Sequence, residues 1–472
     1  LPDVDFNIRA GNTLIGYTSE KEIEDALGGQ LDFDNDLEKI KEKCDIVART
    51  FARYKELQLE YGKDYMDFFQ AKAELKQRLE ELNDQLNLLL HKQTTNMNYD
   101  QWLTTHQPFH WLAEFYELVH ERGGFDVIIG NPPYVEAKKL TYKVVNYLTL
   151  SCGNLYAYIV ERGFNLISTN ARTGMIIPHS SICTDRMASL IQLITKQQVW
   201  LSTYDIRPSK LFEGVDQRLL IYITNNEKSN RFFTTIYNRW MNDYREHLFQ
   251  TLGYVGDVTS IVPNSIPKAG KGIEKGIYSK IKYQHKLSKY FKDMSPWLYY
   301  HNAPRYFVRA MSAPPYFWNE KDGQKISSQI KKISFGNRKL TYAVGSIFNS
   351  SLFYWWFILM SDCRHLNQRE IEYFPFNLDS LSGRISQELN YLFIKINDDY
   401  KLHKVRKDAY YKATGRVEYD EYYPKLSKAI IDEIDTVLAQ HYGFTPEELD
   451  YIINYDIKYR MGKELGEDED DP

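Results

Sequence analysis

The chain has 472 residues, of which 43% are hydrophobic and 26% charged, and its formal net charge is −4. That balance excludes a disordered or fibrous chain and is typical of a soluble globular protein with roughly two to four domains. The longest apolar run, Ser351–Met360, is about half of the roughly 20 residues that a membrane span needs, so it predicts a buried core element. Four scattered cysteines without a CxxC pair argue against a bound metal and a disulfide framework. With no basic-then-apolar leader, these features favour the cytoplasm.

The small net charge hides a strong asymmetry along the chain. Residues 1–100 contain 13 basic and 21 acidic side chains, whereas residues 268–340 contain 16 basic and 4 acidic ones. The basic stretch has the electrostatic footprint of a phosphate-binding surface, although a solvated lysine-rich face would have the same charge. Interleaved aromatic residues that can stack on bases favour nucleic acid, and these are Tyr278, Tyr283, Tyr290, Phe291, Trp297, Tyr299, Tyr300, Tyr306, Phe307, Tyr316, Phe317 and Trp318.

The N-terminal part predicts a short strand followed by long helices. Residues Phe6–Arg9 are interpreted as the strand. From about Asp36 to Lys92 the sequence is charged and helical, and we interpret residues 20–110 as a helical insertion that packs on a neighbour. The apolar side chains that recur at three- and four-residue steps are Leu75, Leu79, Leu82, Leu86 and Leu89.

An alternating α/β series follows. Phe125–Gly130 (FDVIIG) has the composition of a strand buried on both faces. A helix is predicted over 154–168, and further strands over 174–177, 203–206 and 219–224. Strands that alternate with helices predict a parallel, wound sheet, in which ligands bind at the carboxyl ends of the strands.

The texture changes after about residue 230. Residues 230–380 are rich in Gly, Pro, Lys and aromatic residues and predict an irregular α+β domain. Residues 381–472 are predicted to be a helical region, in which Thr445-Pro446-Glu447-Glu448 has the pattern of a helix start. The acidic residues 467–471 are interpreted as a disordered tail.

The residues that carry chemistry are Asn131, Pro132, Pro133 and Tyr134, directly after the strand predicted over 125–130. An exocyclic amino group on a base is a poor nucleophile because its lone pair is delocalised into the ring. Two acceptors on its hydrogens favour the tetrahedral geometry that frees this lone pair, and the Asn131 side chain and the Pro132 carbonyl supply such acceptors. The two prolines hold this backbone rigid, and Tyr134 offers a ring face for a base rotated out of the duplex.

These segments resemble amino-group methyltransferases that use S-adenosyl-L-methionine, and among them the adenine-N6 DNA methyltransferases of type IIG restriction–modification enzymes. The resemblance extends from FNIRAGNTLIGY through GGFDVIIGNPPYVEA to KLFEGVDQRLLIYIT and GFTPEELDYIINYDIKYR. It implies a Rossmann-like methyltransferase sheet over residues 1–229 and a site-specific DNA adenine-N6 methyltransferase. It also implies that Phe212 stacks on the flipped base, and that Asn12 lies near the cofactor's adenine, where a carboxylate is common.

One part of the family pattern is absent. The family binds its cofactor through a glycine-rich loop after the first strand, followed by an acidic residue that ends the second strand. Gly28-Gly29 lies in an acidic linker without a preceding strand, and the first residue is Leu1. We therefore expect the cofactor loop, and any nuclease domain, in an upstream segment of the same polypeptide.

The motif specifies a planar amino group and leaves alternatives open. Glutamine-amide and RNA-base methyltransferases carry similar loops but lack a large basic region, and cytosine-N4 enzymes usually have serine in place of Asn131. A non-catalytic DNA-binding specificity subunit is the alternative that the missing cofactor loop motivates. We interpret residues 230–380 as the target-recognition domain for double-stranded DNA. Its candidate DNA contacts are Lys271, Lys275, Lys280, Lys282, Arg305, Arg309, Lys331, Lys332 and Arg338.

Overall fold

The computed structural model describes residues 6–27, 36–59, 65–93, 97–227 and 229–462, so that Gly28-Gly29 and the acidic tail at 467–471 lie outside the described residues. The helices are α1 (Glu20–Ala26), α2 (Asp36–Leu59), α3 (Tyr65–Lys92), α4 (Tyr99–His106), α5 (Trp111–Glu114), α6 (Leu155–Asn165), α7 (Ala188–Thr195), α8 (Gly272–Ile281), α9 (Arg338–Phe348), α10 (Ser351–Met360), α11 (Gln368–Glu372), α12 (Gly383–His403), α13 (Lys428–Tyr442), α14 (Pro446–Ile453) and α15 (Ile457–Arg460). The strands are β1 (Phe125–Gly130), β2 (Ile167–Pro178), β3 (Gln198–Tyr204), β4 (Leu219–Asn225), β5 (Phe232–Asn238), β6 (Val255–Gly256), β7 (Trp297–His301), β8 (Ala310–Met311), β9 (Phe317–Asn319), β10 (Gly323–Gln324), β11 (Ile330–Ser334), β12 (Val405–Tyr411) and β13 (Gly415–Glu421).

The chain divides into two compact units. Unit 1 comprises residues 1–177, 186–200 and 221–231, and unit 2 comprises residues 178–185, 201–220 and 232–472. Three sheets are formed, with the strand orders β1-β2-β4-β3-β5-β6, β10-β9-β13-β12 and β11-β7-β8. The fold is therefore mixed α/β.

The helices predicted between residues 20 and 110 are present and form the helical core of unit 1. Helices α2 and α3 pack together and bury Ile40, Cys44, Val47 and Tyr54 of α2. From α3 they bury Leu75, Leu79, Leu82 and Leu86, with Leu89 partly buried. The three- and four-residue spacing of these leucines places them on one face of α3, and burial of that face holds the helices together.

The strand predicted over Phe6–Arg9 is wrong, because these residues form a turn. Phe6 packs edge-to-face on Tyr54 at 5.0 Å between ring centroids. The Arg9 guanidinium lies over the Phe6 ring and pairs with Glu114 at 3.0 Å. The apolar side chain is thus buried against α2, and the segment obtains its stability without a neighbouring strand.

Strand β1 has the predicted bounds and pairs in parallel with β2, with Ile129 opposite Gly174 and Gly130 opposite Met175. The expectation of two buried faces is wrong, because Val127 is 58% exposed and Ile129 80% exposed. Ile128, on the other face, lies against Gly163 of α6. β1 is the terminal strand of its sheet, and among the described residues only the face that carries Ile128 is covered.

The expected all-parallel sheet is also wrong. The His179 amide donates to the Arg218 carbonyl at 2.9 Å, and the Asn226 amide donates to the Ala171 carbonyl at 3.1 Å. From residue 171 to residue 179 along β2, the bonded partner on the β4 side moves back from residue 226 to residue 218, so the two strands are antiparallel. The connection from β3 to β4, residues 205–218, contains no α-helix, and a parallel return needs a helical crossover that this segment does not supply.

Unit 2 is built around helix α10, as its apolar sequence predicted. All ten residues from Ser351 to Met360 are buried, and they share one core with side chains from Tyr237 to Tyr455. Among the described residues, no single helix is long and apolar enough to cross a membrane. The bent pair α9 and α10, at 69° to each other, passes that test by length and composition.

The C-terminal region is only partly helical, which corrects the prediction for residues 381–472. Strands β12 and β13 form an antiparallel hairpin from Val405 to Glu421, and Gly415 at its turn has φ of +73°. Charged cross-strand contacts such as Arg416 with Asp408, at 2.6 Å, stabilise it. The helix start at Thr445 is confirmed, since its hydroxyl accepts from the Glu448 amide while the Glu448 carboxylate accepts from the Thr445 amide.

His110, in unit 1, is expected to make stability depend on pH. Its Nδ1 accepts from the Tyr17 amide at 3.1 Å, its Nε2 contacts Asn87 Oδ1 at 3.1 Å, and burial lowers the pKa of His110 to about 3. In the unfolded chain His110 binds a proton near pH 6.5, whereas in the folded chain it stays neutral down to about pH 3. The stabilising contribution is therefore complete above pH 6.5 and is lost toward pH 3, at about 1.4 kcal/mol per pH unit. We expect His110→Gln to flatten this part of the stability-versus-pH curve in urea titrations, with the exposed His247→Gln as the control. Parallel curves for wild type and His110→Gln would contradict this assignment.

Candidate active site

The Asn131–Tyr134 loop leaves the carboxyl end of β1 in extended conformation. Asn131 and Pro133 are exposed, Pro132 is buried, and Tyr134 is half-buried. β1 ends at Gly130. Because each proline disfavours a helical conformation of the residue before it, Asn131 and Pro132 do not begin a helix. The loop therefore presents the Asn131 side chain at the strand end while its backbone is fixed by Pro132.

The Tyr134 hydroxyl holds the loop from inside. It lies 2.9 Å from Asn131 Oδ1 and 3.0 Å from the Ile176 carbonyl of β2. Its single proton can be donated to one of these oxygens at a time. Burial raises the pKa of Tyr134 to about 12, so the phenol stays protonated and remains a donor at neutral pH. The Tyr134 ring packs edge-to-face on Tyr156 of α6.

Two acceptors of the loop have unused capacity. An amide oxygen has two lone pairs, so Asn131 Oδ1 can accept a second hydrogen bond while Tyr134 occupies the first. Within the part of the chain that the structure describes, no donor bonds to the Pro132 carbonyl. The loop thus offers two oxygen acceptors from neighbouring residues.

The far side of the loop is anchored to the segment that precedes α6. The Val135 carbonyl accepts from the Leu155 amide at 2.9 Å, and the Ala137 amide donates to the Gly153 carbonyl at 2.9 Å. Arg186 donates two hydrogen bonds to the Glu136 carboxylate, at 3.0 and 3.2 Å, and these bonds lower the pKa of Glu136. Sequence reasoning did not identify this pair, because nothing in a stretch 50 residues downstream marks Arg186 as the partner of Glu136.

Phe212 lies in unit 2, on the loop between β3 and β4, and it is half-buried. Arg245 fixes this loop by donating to the Lys210 carbonyl at 2.9 Å and to the Leu211 carbonyl at 2.7 Å. Gly214, with φ of +73°, forms the turn that follows Phe212. The phenyl ring is thus carried on a loop held through its backbone, and its stacking role stays a prediction.

Asn12 lies in a turn of unit 1, where its Oδ1 accepts from the Leu14 amide at 3.2 Å and its backbone amide donates to the Gln107 carbonyl. The side-chain oxygen is thereby engaged in local structure. The described residues contain no strand followed by a glycine-rich turn of the kind that holds a methyl donor. They do not by themselves fit a site for S-adenosyl-L-methionine.

The candidate DNA contacts lie on several elements of unit 2. Lys331 and Lys332 are exposed on β11, and Lys332 lies over the Trp297 ring at 4.1 Å. Lys280 is different, because it forms an ion pair with Glu448 at 2.6 Å. Arg309 is half-buried over the Tyr422 ring. The other candidates are Lys271, Lys275 and Lys282 on or beside α8, Arg305 on the segment after β7, and Arg338 at the start of α9.

Residues 38–212 match the sequence model of the Eco57I restriction-modification methylase family. The matched segment contains the Asn131–Tyr134 loop and ends at Phe212. The predicted resemblance to a restriction–modification methyltransferase is therefore confirmed for that segment. No curated protein matches the chain.

Several solved structures are similar to the chain at low identity. The type IIL restriction-modification enzyme MmeI in complex with DNA is 12% identical, with 80% of this chain and 63% of that chain covered and a TM-score of 0.42. The DrdV–DNA complex is 8% identical, with coverages of 83% and 64% and a TM-score of 0.32. The type IIG restriction endonuclease BpuSI is 9% identical, with coverages of 70% and 54% and a TM-score of 0.24. The chain spans less than two thirds of the length of each.

Proposed function

We propose that the chain carries the catalytic loop of a site-specific DNA adenine-N6 methyltransferase of a restriction–modification system. The observation that carries the proposal is the pair of oxygen acceptors after β1, Asn131 Oδ1 and the Pro132 carbonyl. Hydrogen bonds from both amino hydrogens to these oxygens would direct the nitrogen lone pair away from the ring plane, toward an electrophilic methyl group. The acceptors are preorganised, since Tyr134 and the Pro132 ring fix them before a base arrives.

The methyl donor proposed is S-adenosyl-L-methionine, held largely by a segment outside residues 1–472. The matched methylase family implies a methyl donor, while the glycine-rich loop is missing from the sequence. Val127 and Ile129 form an exposed apolar face of β1, which supports the packing of a further segment of the protein on this face. In this proposal the sheet of the complete protein is Rossmann-like, and Phe212 and Tyr134 contact the flipped base.

Double-stranded DNA is the proposed substrate, with residues 230–380 as the target-recognition domain. We expect Lys331→Gln with Lys332→Gln to weaken binding to all duplex sequences and to reduce the salt slope of log Kd by about one to two, because each phosphate contact contributes roughly one released counterion. Fluorescence anisotropy with a labelled duplex at several salt concentrations measures both. The exposed Lys401→Gln on α12, where Lys401 pairs with Asp398, is the matched control. An unchanged slope in the double variant would remove β11 from the DNA contacts.

The identity of the modified base tests the proposed reaction. The full-length polypeptide is incubated with S-adenosyl-L-methionine and mixed-sequence duplex DNA, and the DNA is hydrolysed to nucleosides. We expect N6-methyladenine. Methylcytosine would retain the acceptor chemistry but refute the adenine assignment. Duplex binding without any methylated nucleoside would instead favour a non-catalytic specificity subunit, the alternative that the missing cofactor loop motivates.

Tyr134→Phe tests the role of the phenol. The substitution keeps the ring for stacking but removes the donor to Asn131 Oδ1. We expect kcat to fall by about 2- to 10-fold, the effect of losing one neutral hydrogen bond, with KM for DNA nearly unchanged. A higher KM for DNA with an unchanged kcat would show that the hydroxyl does not position Asn131.

A further inference from the structure

Unit 2 contains a cavity of about 630 Å³ between its two smaller sheets. Its wall includes His301 at the end of β7, residues 303–307 and Arg309, Phe317 of β9, and Val417 and residues 419–425 of and after β13. This volume lies within the range of small-molecule sites, roughly 300–1,000 Å³. The cavity belongs to unit 2 alone, and neither Asn131 nor Phe212 lines it.

The cavity contains a cation, Arg309, that forms no direct ion pair with a carboxylate among the described residues. Within the described residues, no carboxylate lies within salt-bridge distance of Arg309, whose guanidinium stacks over the Tyr422 ring at 4.5 Å. Burial lowers the pKa of Arg309, which reflects the cost of holding this charge away from water. An anion that entered the cavity would offset that cost.

The carboxylates that line the cavity are already committed to other cations. Asp420 accepts from Lys404 at 2.7 Å and from Arg406 at 2.6 Å. Glu421 pairs with Lys407 at 3.3 Å and accepts from the Tyr423 hydroxyl. Lys425 also lines the wall. The balance of charge around the cavity therefore favours an anionic ligand.

The remaining wall is aromatic. Seven half-buried Tyr and Phe rings line the cavity, and they are Tyr306, Phe307, Tyr316, Phe317, Tyr411, Tyr419 and Tyr423. Rings that are partly exposed in a concave site provide flat faces on which a planar heterocycle stacks, and stacking contributes to the binding of every base regardless of its identity. Inorganic phosphate or a small carboxylate would make no stacking contact with these rings.

We propose that this cavity binds a nucleotide, with the phosphate on Arg309 and the base against the aromatic wall. The phosphate matches a planar guanidinium that can donate two hydrogen bonds, and the base matches the ring faces. The nucleotide is either free or part of a single DNA strand, since both present the same phosphate and base. The inference goes beyond the proposed methyl transfer, because it concerns a second site that contains no acceptor loop.

Calorimetric titration of the full-length protein tests the site, with adenosine 5′-monophosphate, adenosine and inorganic phosphate as probes. We expect the monophosphate to bind, adenosine to bind at least roughly tenfold more weakly, and phosphate to compete. Arg309→Met is expected to weaken monophosphate binding roughly tenfold to a hundredfold, and Arg309→Lys less. Arg384→Met, on the exposed face of α12, is the matched control. The wild-type competition does not depend on any variant folding.

Equal binding of adenosine and its monophosphate, or unchanged monophosphate affinity in Arg309→Met, would overturn the proposal. A 5′-phosphorylated single-stranded tetranucleotide distinguishes the two sources. If it binds more tightly than the monophosphate and loses that affinity in Arg309→Met, the occupant is a DNA strand; otherwise it is a free nucleotide. The cavity lies in unit 2 and is not lined by Asn131, so monophosphate binding there is independent of the proposed methyl transfer.

Discussion

Asn131→Ala is expected to lower kcat for methyl transfer by at least about 100-fold while DNA affinity changes by less than about twofold. Loss of one preorganised polar group at a reacting centre typically costs a factor of about 100 to 1,000 in kcat. In the proposed reaction the side-chain oxygen accepts a hydrogen bond from the amino group, which favours release of the nitrogen lone pair from the ring, and alanine cannot replace it. Because Asn131 is exposed at a strand end, its truncation removes no core packing.

Single-turnover methylation with radiolabelled donor measures this effect separately from product release, and anisotropy with a labelled duplex measures affinity. Asn170→Ala supplies the control, since Asn170 is an exposed asparagine on the adjacent strand β2. We expect it to behave as wild type. Retention of more than about a tenth of the rate in Asn131→Ala would mean that the loop does not activate the amino group.

The loop itself was predictable because its chemistry is contiguous in sequence. Four successive residues after an apolar run define both the acceptor and its backbone, so no long-range contact had to be known. The contacts that hold the loop were not predictable in the same way. The pairs Glu136–Arg186 and Tyr134–Ile176 join residues about 50 and 42 positions apart, and a single sequence contains no signal that connects them.

The orientation of β4 could not be predicted for a similar reason. Alternation of strands and helices predicted β1 and β2 as a parallel pair, but β3 and β4 follow each other without a helix, which reverses β4. The hairpin β12–β13 was missed because its strands are rich in charged residues. Its pattern of exposed and half-buried residues lacks the strong apolar alternation that marks a strand buried on one face.

The charge of the basic stretch could be counted from sequence, but the placement of each cation could not. Lys280 and Lys332 count equally as lysines of the basic stretch, yet Lys280 is paired with Glu448 and Lys332 lies exposed over Trp297. Arg309 turns into a cavity instead of a convex surface. Composition therefore predicts a surface potential, whereas the contacts of the folded chain decide which side chains can reach a phosphate.

A buried ionic network in unit 2 carries the largest expected effect on stability. The side chain of Arg239 is only 3% exposed and pairs with Asp205 at 2.7 Å and with Asp456. It also donates to the Tyr354 hydroxyl at 3.1 Å. The network joins the end of β5 to the segment before α15, so it ties the C-terminal helices to the sheet of this unit.

Arg239→Met is expected to lower the free energy of unfolding by about 3 kcal/mol or more, because it leaves two buried carboxylates without their shared cation. Urea titration followed by tryptophan fluorescence measures the loss, and the exposed Arg384→Met should leave the midpoint unchanged. Adding Asp205→Asn to Arg239→Met is expected to recover part of the stability, since it removes a buried carboxylate whose remaining cation is Arg218, at 3.5 Å. If the double variant is less stable than Arg239→Met by the full cost of Asp205→Asn alone, the two residues do not interact and the destabilisation arises from lost packing.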